Sequence, residues 1–147
     1  MAIAAPILCV VENDDEGGQL RNALAALNIS NPVRCIVGAT DAMAELDGAA
    51  QRREPAPVLV FLNLAAPEAN RLAAWFEAHP EDRPSGLIAM TGFHDMRPIM
   101  EAYHLGVTSF LQWPLKTGDV HNALITNSAL KLEPSEGAVE IRPAIGK

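Results

Sequence analysis

The stretch ILCVVENDDEGGQLRNALAALNISNPVRCIV, residues 7–37, decides the fold. It begins with a solid apolar block of five residues at 7–11 and ends with a second block at 33–37, which is apolar except for Arg34. Each block has the length of a strand and lacks the alternation of a half-exposed sheet. Four apolar residues between the blocks recur at the spacing of one helix face: Leu20, Ala23, Leu24 and Leu27. Solid blocks joined by an amphipathic helix are typical of a parallel sheet that is covered on both faces.

The same alternation continues through most of the chain. Further apolar blocks predict strands at 58–62, 87–90 and 107–111. Helical periodicity predicts further helices at 40–53, 67–78, 96–105 and 116–132. Five strand and helix units predict a flavodoxin-like, doubly wound α/β fold, a five-stranded parallel sheet in the order 2-1-3-4-5 with five helices. In that fold, sites form in the loops at the carboxyl ends of the strands.

Composition limits the classes of partner. The chain has 147 residues, 49% of them hydrophobic, which suits one domain with a sizeable core. Its net charge of −7 disfavours nucleic acid and anionic membranes and favours a protein partner. Cys9 and Cys35 lie in apolar runs, as expected of reduced, buried thiols in a cytoplasmic protein. Residues 1–11 lack the basic start of a signal peptide and run into acidic residues, so neither a signal peptide nor a membrane span is predicted.

The predicted organisation is one domain over residues 1–132 and a tail over 133–147. Within the tail, residues 138–141 (AVEI) are a candidate short strand or interaction arm that could pair with a partner chain, and a disordered terminus is the default expectation. No Cys/His cluster has the spacing of metal ligands, so no metal site of that kind is predicted.

Four pieces of the sequence resemble one known family. They are ILCVVEND (7–14), VLVFLNLAAP (58–67), LIAMTG (87–92) and AYHLGVTSFLQWPL (102–115). In this order, and each at a predicted strand end, they resemble the receiver domain of two-component response regulators, the CheY-like family. The resemblance covers residues 7–132. It implies phosphoryl transfer from a histidine kinase to an aspartate after the third strand, with Mg²⁺ held by acidic residues after the first strand.

The sequence departs from the family pattern at three positions. Asn63 stands at the position of the phosphoacceptor aspartate, and Glu12 and Asn13 stand at those of the acidic pair. Trp113 stands at the position of the lysine that precedes a proline. A carboxamide is a far weaker nucleophile than a carboxylate, so no phosphorylation is expected at Asn63. With Glu12 as the one full charge of the pair, Mg²⁺ binding is expected to be weak or absent, and no cofactor is predicted.

The resemblance also identifies switch positions. Thr91 matches the hydroxyl residue and Phe110 the aromatic residue that relay phosphorylation in active relatives; a purely structural role for both is an equal alternative. Trp113 could fill or cover the phosphoryl position. The bond before Pro114 corresponds to a step that is usually cis in the family.

The predicted function is a stand-alone, atypical receiver protein in signal transduction that is not an enzyme and acts by protein–protein contact without phosphorylation. Met96, Met100 and Tyr103 are candidates for its interaction face. The expected partner is a sensor histidine kinase or another regulator, and homodimerisation is a further candidate. Two alternatives are open: phosphorylation on a neighbouring acid, Glu12 or Asp14, and small-molecule binding in the strand-end crevice.

Overall fold

The computed structural model describes residues 5–66, 68–91, 107, 109–113 and 115–144. Within these residues the chain forms strands and helices in the following order. They are β1 (Ile7–Val11), α1 (Asp14–Ala26), β2 (Val33–Val37), α2 (Ala39–Gln51), β3 (Leu59–Asn63), α3 (Ala69–Ala78), a 3-10 turn (Pro80–Asp82), β4 (Gly86–Thr91), β5 (Ser109–Gln112), α4 (Thr117–Ile125), β6 (Leu130–Ser135) and β7 (Ala138–Pro143).

The first five strands form one parallel sheet in the order β2-β1-β3-β4-β5. This confirms the predicted strand order and the flavodoxin-like α/β class. β1 and β2 have the predicted bounds, and β3, β4 and β5 lie within two residues of theirs. The carboxyl ends of β1, β3 and β4 therefore lie side by side, where a site is expected in such a sheet.

The central strands of the sheet are buried on both faces, as their solid apolar blocks predict, whereas the edge strands β2 and β5 are only partly buried. Ile7, Cys9 and Val11 of β1 belong to a core cluster that includes residues of α1 and α4. Leu8 and Val10 of the same strand belong to a second cluster that includes residues of α2 and α3. Alternate residues of β1 thus pack into two different core clusters, so neither face of this strand needs polar side chains.

The prediction of a fifth helix over residues 116–132 is wrong beyond Ile125. Thr126 is the C-cap of α4, and its hydroxyl donates to the Asn122 carbonyl oxygen at 2.7 Å. The side chain of Asn127 then accepts the backbone N–H of Ala129 at 3.0 Å, forming an Asx turn. The chain leaves this turn as a strand.

The C-terminal segment is an antiparallel hairpin of β6 and β7, with Ser135 paired to Ala138. Glu136 and Gly137 form its two-residue turn, and both have positive φ (52° and 82°), as a type I′ turn requires. The predicted strand at 138–141 therefore exists, and its described pairing is with β6 of the same chain. The expectation of a disordered terminus is wrong for these residues.

Asn31 fastens this hairpin to the domain. Its buried amide nitrogen donates to the carbonyl oxygens of Ala5 and Ile141, both at 2.9 Å. Its amide oxygen accepts the backbone N–H of Ile141 at 2.7 Å. Ile141 is itself 1% exposed and belongs to the same core cluster as β1. The hairpin is thus part of the hydrophobic core.

Several predictions lie outside the described residues. The predicted fourth helix, at 96–105, falls wholly within the undescribed range 92–106. The division of the chain at residue 132 stays a prediction. No helix among the described residues is long and apolar enough to cross a membrane.

Candidate functional site

The candidate site is centred on Asn63, the last residue of β3. Its side chain is 1% exposed. Its amide nitrogen donates to Oε1 of Glu16 at 2.8 Å, and its amide oxygen accepts the backbone N–H of Ala65 at 2.8 Å. A carboxylate only accepts and a backbone N–H only donates, so these two partners fix the orientation of the amide. Both ends of the Asn63 side chain are therefore satisfied within the protein.

Glu16 is brought to Asn63 by the way α1 begins. Asn13 is the N-cap of this helix, and its side-chain oxygen accepts the backbone N–H of Glu16 at 3.0 Å. In return, Oε1 of Glu16 accepts the backbone N–H of Glu12 at 2.9 Å. This arrangement is a variant of the capping box, with asparagine as the cap and glutamate three residues later, in which the glutamate accepts from the residue before the cap rather than from the cap itself. The same carboxylate oxygen thus joins the end of β1, the start of α1 and the end of β3.

The donor set at this site does not fit a Mg²⁺ ion. The side-chain oxygens of Asn13 and Asn63 both accept backbone N–H groups, and Oε1 of Glu16 accepts two hydrogen bonds. Of the two residues at the predicted acidic pair, only Glu12 has a carboxylate, and Glu12 is exposed. Mg²⁺ in proteins is usually held through one or two carboxylates, whereas two of the side chains at these positions are neutral amides that already accept backbone N–H groups, so the donor set supplies little of the negative charge that the ion needs.

Trp113 lies just after β5, at the position that the resemblance gives to a lysine. Its backbone N–H donates to the carbonyl oxygen of Thr91 at 3.0 Å. Its half-buried ring packs against the core cluster that includes residues of α1 and α4. The indole Nε1 is buried and has no hydrogen-bond partner among the described residues. The ring therefore contributes as an apolar group at this position.

The two switch positions lie on neighbouring strands. Thr91 ends β4 and is half-buried, and Phe110 on β5 packs against the core cluster that includes residues of α2 and α3. In the register of these strands Phe110 pairs with Ala89, and Gln112 pairs with Thr91. The assignment of Thr91 and Phe110 as switch positions stays a prediction, and so does the choice between a relay and a structural role.

The remaining predicted site residues lie outside the described residues. These are Met96, Met100 and Tyr103 of the interaction face and Pro114. A cavity of about 230 Å³ is found elsewhere, at the amino ends of β1 and β2, where its lining includes Pro6, Pro32 and Pro57. No group of three or more His, Cys, Asp or Glu residues within the described ranges could hold a metal ion.

Sequence reasoning missed Glu16. Its role at the start of α1 could have been predicted from the sequence, because Asn13 followed three residues later by Glu16 is a capping-box pattern. Its second role is its contact with Asn63, 47 residues further along the chain. No local pattern carries that contact, which exists only because β1 and β3 are neighbours in the sheet.

Comparison with known proteins agrees with this fold. The bacteriophytochrome response regulator AtBRR has a TM-score of 0.75 and 20% identity, covering 92% of this chain and 100% of that chain. The bacteriophytochrome response regulator RtBRR gives the same TM-score and identity over 92% of this chain and 87% of its own. The signal receiver domain of a LuxO repressor protein from Vibrio parahaemolyticus gives 0.67 and 12%, with 85% and 90% covered.

The sequence matches no family description and no curated protein. At these identities the similarity establishes the fold. The chain has the fold of response-regulator receiver domains.

Proposed function

We propose that this protein is an atypical receiver-domain protein that signals by protein–protein contact without phosphorylation of the domain. The observation that carries the proposal is the hydrogen bond from Asn63 to Glu16. The residue at the acceptor position is an amide, and its nitrogen is bound to a carboxylate of the same chain. An incoming phosphoryl group would meet a weak nucleophile and the negative charge of Glu16.

The direct test is phosphorylation with a small phosphodonor, acetyl phosphate, in Mg²⁺, followed by intact-mass measurement. A receiver domain that carries the aspartate is the positive control in the same reaction. We expect no added phosphate on this protein. Incorporation that survives Asn63→Ala would overturn the proposal. Mapping that phosphate to Glu12 or Asp14 would favour the alternative of a phosphorelay through a neighbouring acid.

The partner we propose is a sensor histidine kinase or another regulator, met in the cytoplasm and bound through the face that Met96, Met100 and Tyr103 define. Two of the similar structures are response regulators of bacteriophytochromes, which supports testing the protein against a sensor of that class. Binding of the isolated sensor should be unchanged by phosphodonor and lost when the three residues become alanine. Val37→Ala, at an exposed position on β2, is the matched control. Equal binding by both variants would exclude this face.

Homodimerisation belongs to the same proposal. A solution mass that corresponds to a monomer at high protein concentration would exclude it. We propose no catalytic activity, since every role assigned above to the site residues is a hydrogen bond or a packing contact.

A further inference from the structure

Cys9 and Cys35 are neighbours across two strands. They pair in the register of the parallel strands β1 and β2, so their side chains project from the same face of the sheet. Neighbouring strands lie about 4.8 Å apart. Disulfide-bonded residues usually have Cα atoms about 4.4–6.8 Å apart. Both thiols are free. The backbone therefore already holds the two residues at a separation that an S–S bond can span.

The two thiols have different environments. Cys9 is fully buried, whereas Cys35 is half-buried, so the expectation that both are buried holds only for Cys9. The thiol of Cys35 donates to the carbonyl oxygen of Gly17 in α1 at 3.6 Å. The Cys9 thiol and then the positive charge of Arg21 lower the pKa of Cys35 from 9.0 to about 7. The pKa of Cys9 is raised, first by its interaction with Cys35 and then by burial.

We propose that this pair is an oxidation site, in which Cys35 reacts first with a hydroperoxide and Cys9 then closes a disulfide between β1 and β2. The geometry supplies both requirements: a half-buried cysteine, Cys35, and a fully buried one, Cys9, beside it in the strand register. A reactive thiol needs partial exposure and an electropositive neighbour. Cys35 has both, and Cys9 has neither exposure nor a lowered pKa.

The chemistry balances with the hydroperoxide as the oxidant. The Cys35 thiolate attacks one oxygen of the O–O bond, forming an S–O bond, and the other oxygen leaves as an alkoxide or hydroxide that takes up a proton. The sulfur of Cys9 then attacks the sulfur of the Cys35 sulfenic acid. An S–S bond forms, the S–O bond breaks, and the oxygen leaves as water with the proton of Cys9. Overall, two thiols lose two electrons and two hydrogens.

The test is titration of the reduced protein with hydrogen peroxide, followed by intact mass and peptide mapping. We expect the wild type to lose two hydrogens per chain and to yield a peptide joining Cys9 to Cys35. Cys9→Ala should stop at a sulfenic acid on Cys35 that dimedone traps. Cys35→Ala should be unmodified under the same conditions, because its one thiol is buried. Circular dichroism establishes that each variant is folded before it is treated.

Two results would overturn the proposal. One is a folded wild type that accumulates sulfenic or sulfinic acid on Cys35 without the intrachain disulfide. The other is a Cys35 that stays unmodified at a peroxide concentration that oxidises a free cysteine peptide in the same tube. If Cys9→Ala does not fold, the wild-type mapping by itself still decides between the disulfide and the alternatives.

Discussion

The amide nitrogen of Asn63 is the atom that determines what the strand-end site can do. It donates to a carboxylate 2.8 Å away, and the whole side chain is withdrawn from solvent. Hydrogen bonds to charged groups are among the stronger ones in proteins, contributing about 1.5–3 kcal/mol. Replacing this nitrogen by oxygen, as in Asn63→Asp, would remove the hydrogen-bond donor and place two carboxylates next to each other. Asn63 and Glu16 therefore form a matched pair.

We predict that Asn63→Asp lowers the free energy of unfolding at pH 7 by about 1–3 kcal/mol, because a buried acceptor then faces Glu16 without a donor between them. Repulsion raises the pKa of the new carboxyl pair in the folded state. The loss of stability is therefore present above that raised pKa. It decreases as the pH falls through the raised pKa and is gone below the usual carboxyl pKa of about 4. Urea denaturation at several pH values measures it.

The control for this prediction is the double variant Asn63→Asp with Glu16→Gln. The amide nitrogen of the introduced glutamine can donate to the introduced aspartate and removes the charge repulsion. In the wild type one atom, Oε1 of Glu16, accepts from both Asn63 and the N–H of Glu12, so the glutamine side chain must turn to keep its oxygen on Glu12. Part of the lost stability should return at pH 7. If the double variant is no more stable than Asn63→Asp, then Glu16 is not the partner that matters.

A second prediction at this scale concerns the pH dependence of Cys35. Alkylation by iodoacetamide requires the thiolate, so its rate should be half-maximal near the pKa of about 7 rather than near 9.0. In Cys9→Ala the largest cause of the lowered pKa is gone, and the midpoint should move up towards 9.0. Rates of single-site alkylation by mass spectrometry give both profiles. An identical midpoint in the two proteins would contradict the role given to Cys9.

At the scale of elements, the first turn of α1 carries two adjacent glycines with different functions. A Cβ on Gly17 would lie 3.0 Å from Cβ of Cys35, whereas a Cβ on Gly18 would meet no atom within 4 Å. Glycine weakens a helix interior by about 1 kcal/mol relative to alanine. At Gly17 this cost is offset because the helix can lie close against β2. No contact in the described structure requires a glycine at Gly18.

The two alanine variants should therefore differ in sign. Gly18→Ala should stabilise the protein by about 0.5–1 kcal/mol through helix propensity. Gly17→Ala gains the same propensity but forces α1 away from Cys35, and overpacking typically costs about 1–3 kcal/mol. We expect a net loss at Gly17, measured by urea denaturation of both variants in parallel. Stabilisation by both would show that the contact with Cys35 relaxes without cost.

The junction between the hairpin and the domain combines backbone hydrogen bonds of Val139 to Asn28 and Ser30 with one buried side-chain amide, that of Asn31. Asn31→Ala leaves two carbonyl oxygens and the N–H of Ile141 without their side-chain partner, which should cost about 2–3 kcal/mol. Ser30→Ala is the matched control, since its hydroxyl also donates to the hairpin, at Val139, but in an exposed position. We expect at most about 0.5 kcal/mol there. If both variants lower the free energy of unfolding equally in thermal or urea denaturation, the larger contribution expected of the buried Asn31 is contradicted.

The elements show where sequence reasoning succeeds and where it fails. β1 is predicted to the residue because a strand buried on both faces is a solid apolar block with polar ends. The bounds of β2 are also predicted, although this edge strand is only half-buried and includes Arg34. The end of α4 is missed because Leu130 and Leu132 continue the apolar spacing of the helix. The cluster of Thr126, Asn127 and Ser128 is a turn signal, and Glu136 with Gly137 is a second one. The prediction of a helix to residue 132 followed the apolar periodicity and gave these two turn signals too little weight.

For the whole molecule, the sequence predicts the positions of the site but not its contacts. The strand order places Asn63 and Asn13 at the same edge of the sheet, as the resemblance implies. The bond from Asn63 to Glu16 and the pairing of Asn31 with Ile141 join residues 47 and 110 positions apart. Such contacts depend on how the elements pack, and no pattern within one element records them.

The last prediction concerns the boundary at residue 132, which in the sequence-based division separates a receiver-like domain from a C-terminal tail that is a candidate interaction arm. In the structure, removing residues 133–147 deletes β7, exposes the core beside Leu130 and leaves Asn31 without Ile141. The loss of a buried isoleucine and of buried hydrogen bonds should lower the free energy of unfolding by at least about 3 kcal/mol.

Arg142→Ala is the control for this truncation, because it removes a solvent-exposed guanidinium that pairs with Glu140 and keeps the hairpin, and exposed ion pairs contribute little to stability. Urea denaturation of the full chain, the truncated chain and the control, followed by circular dichroism, compares the three. If the truncated chain unfolds at the same urea concentration as the full chain, the hairpin is an appended arm. A large loss with an unaffected control makes it a structural part of the domain, because a receiver-like fold of this sequence then needs the hairpin to close its core.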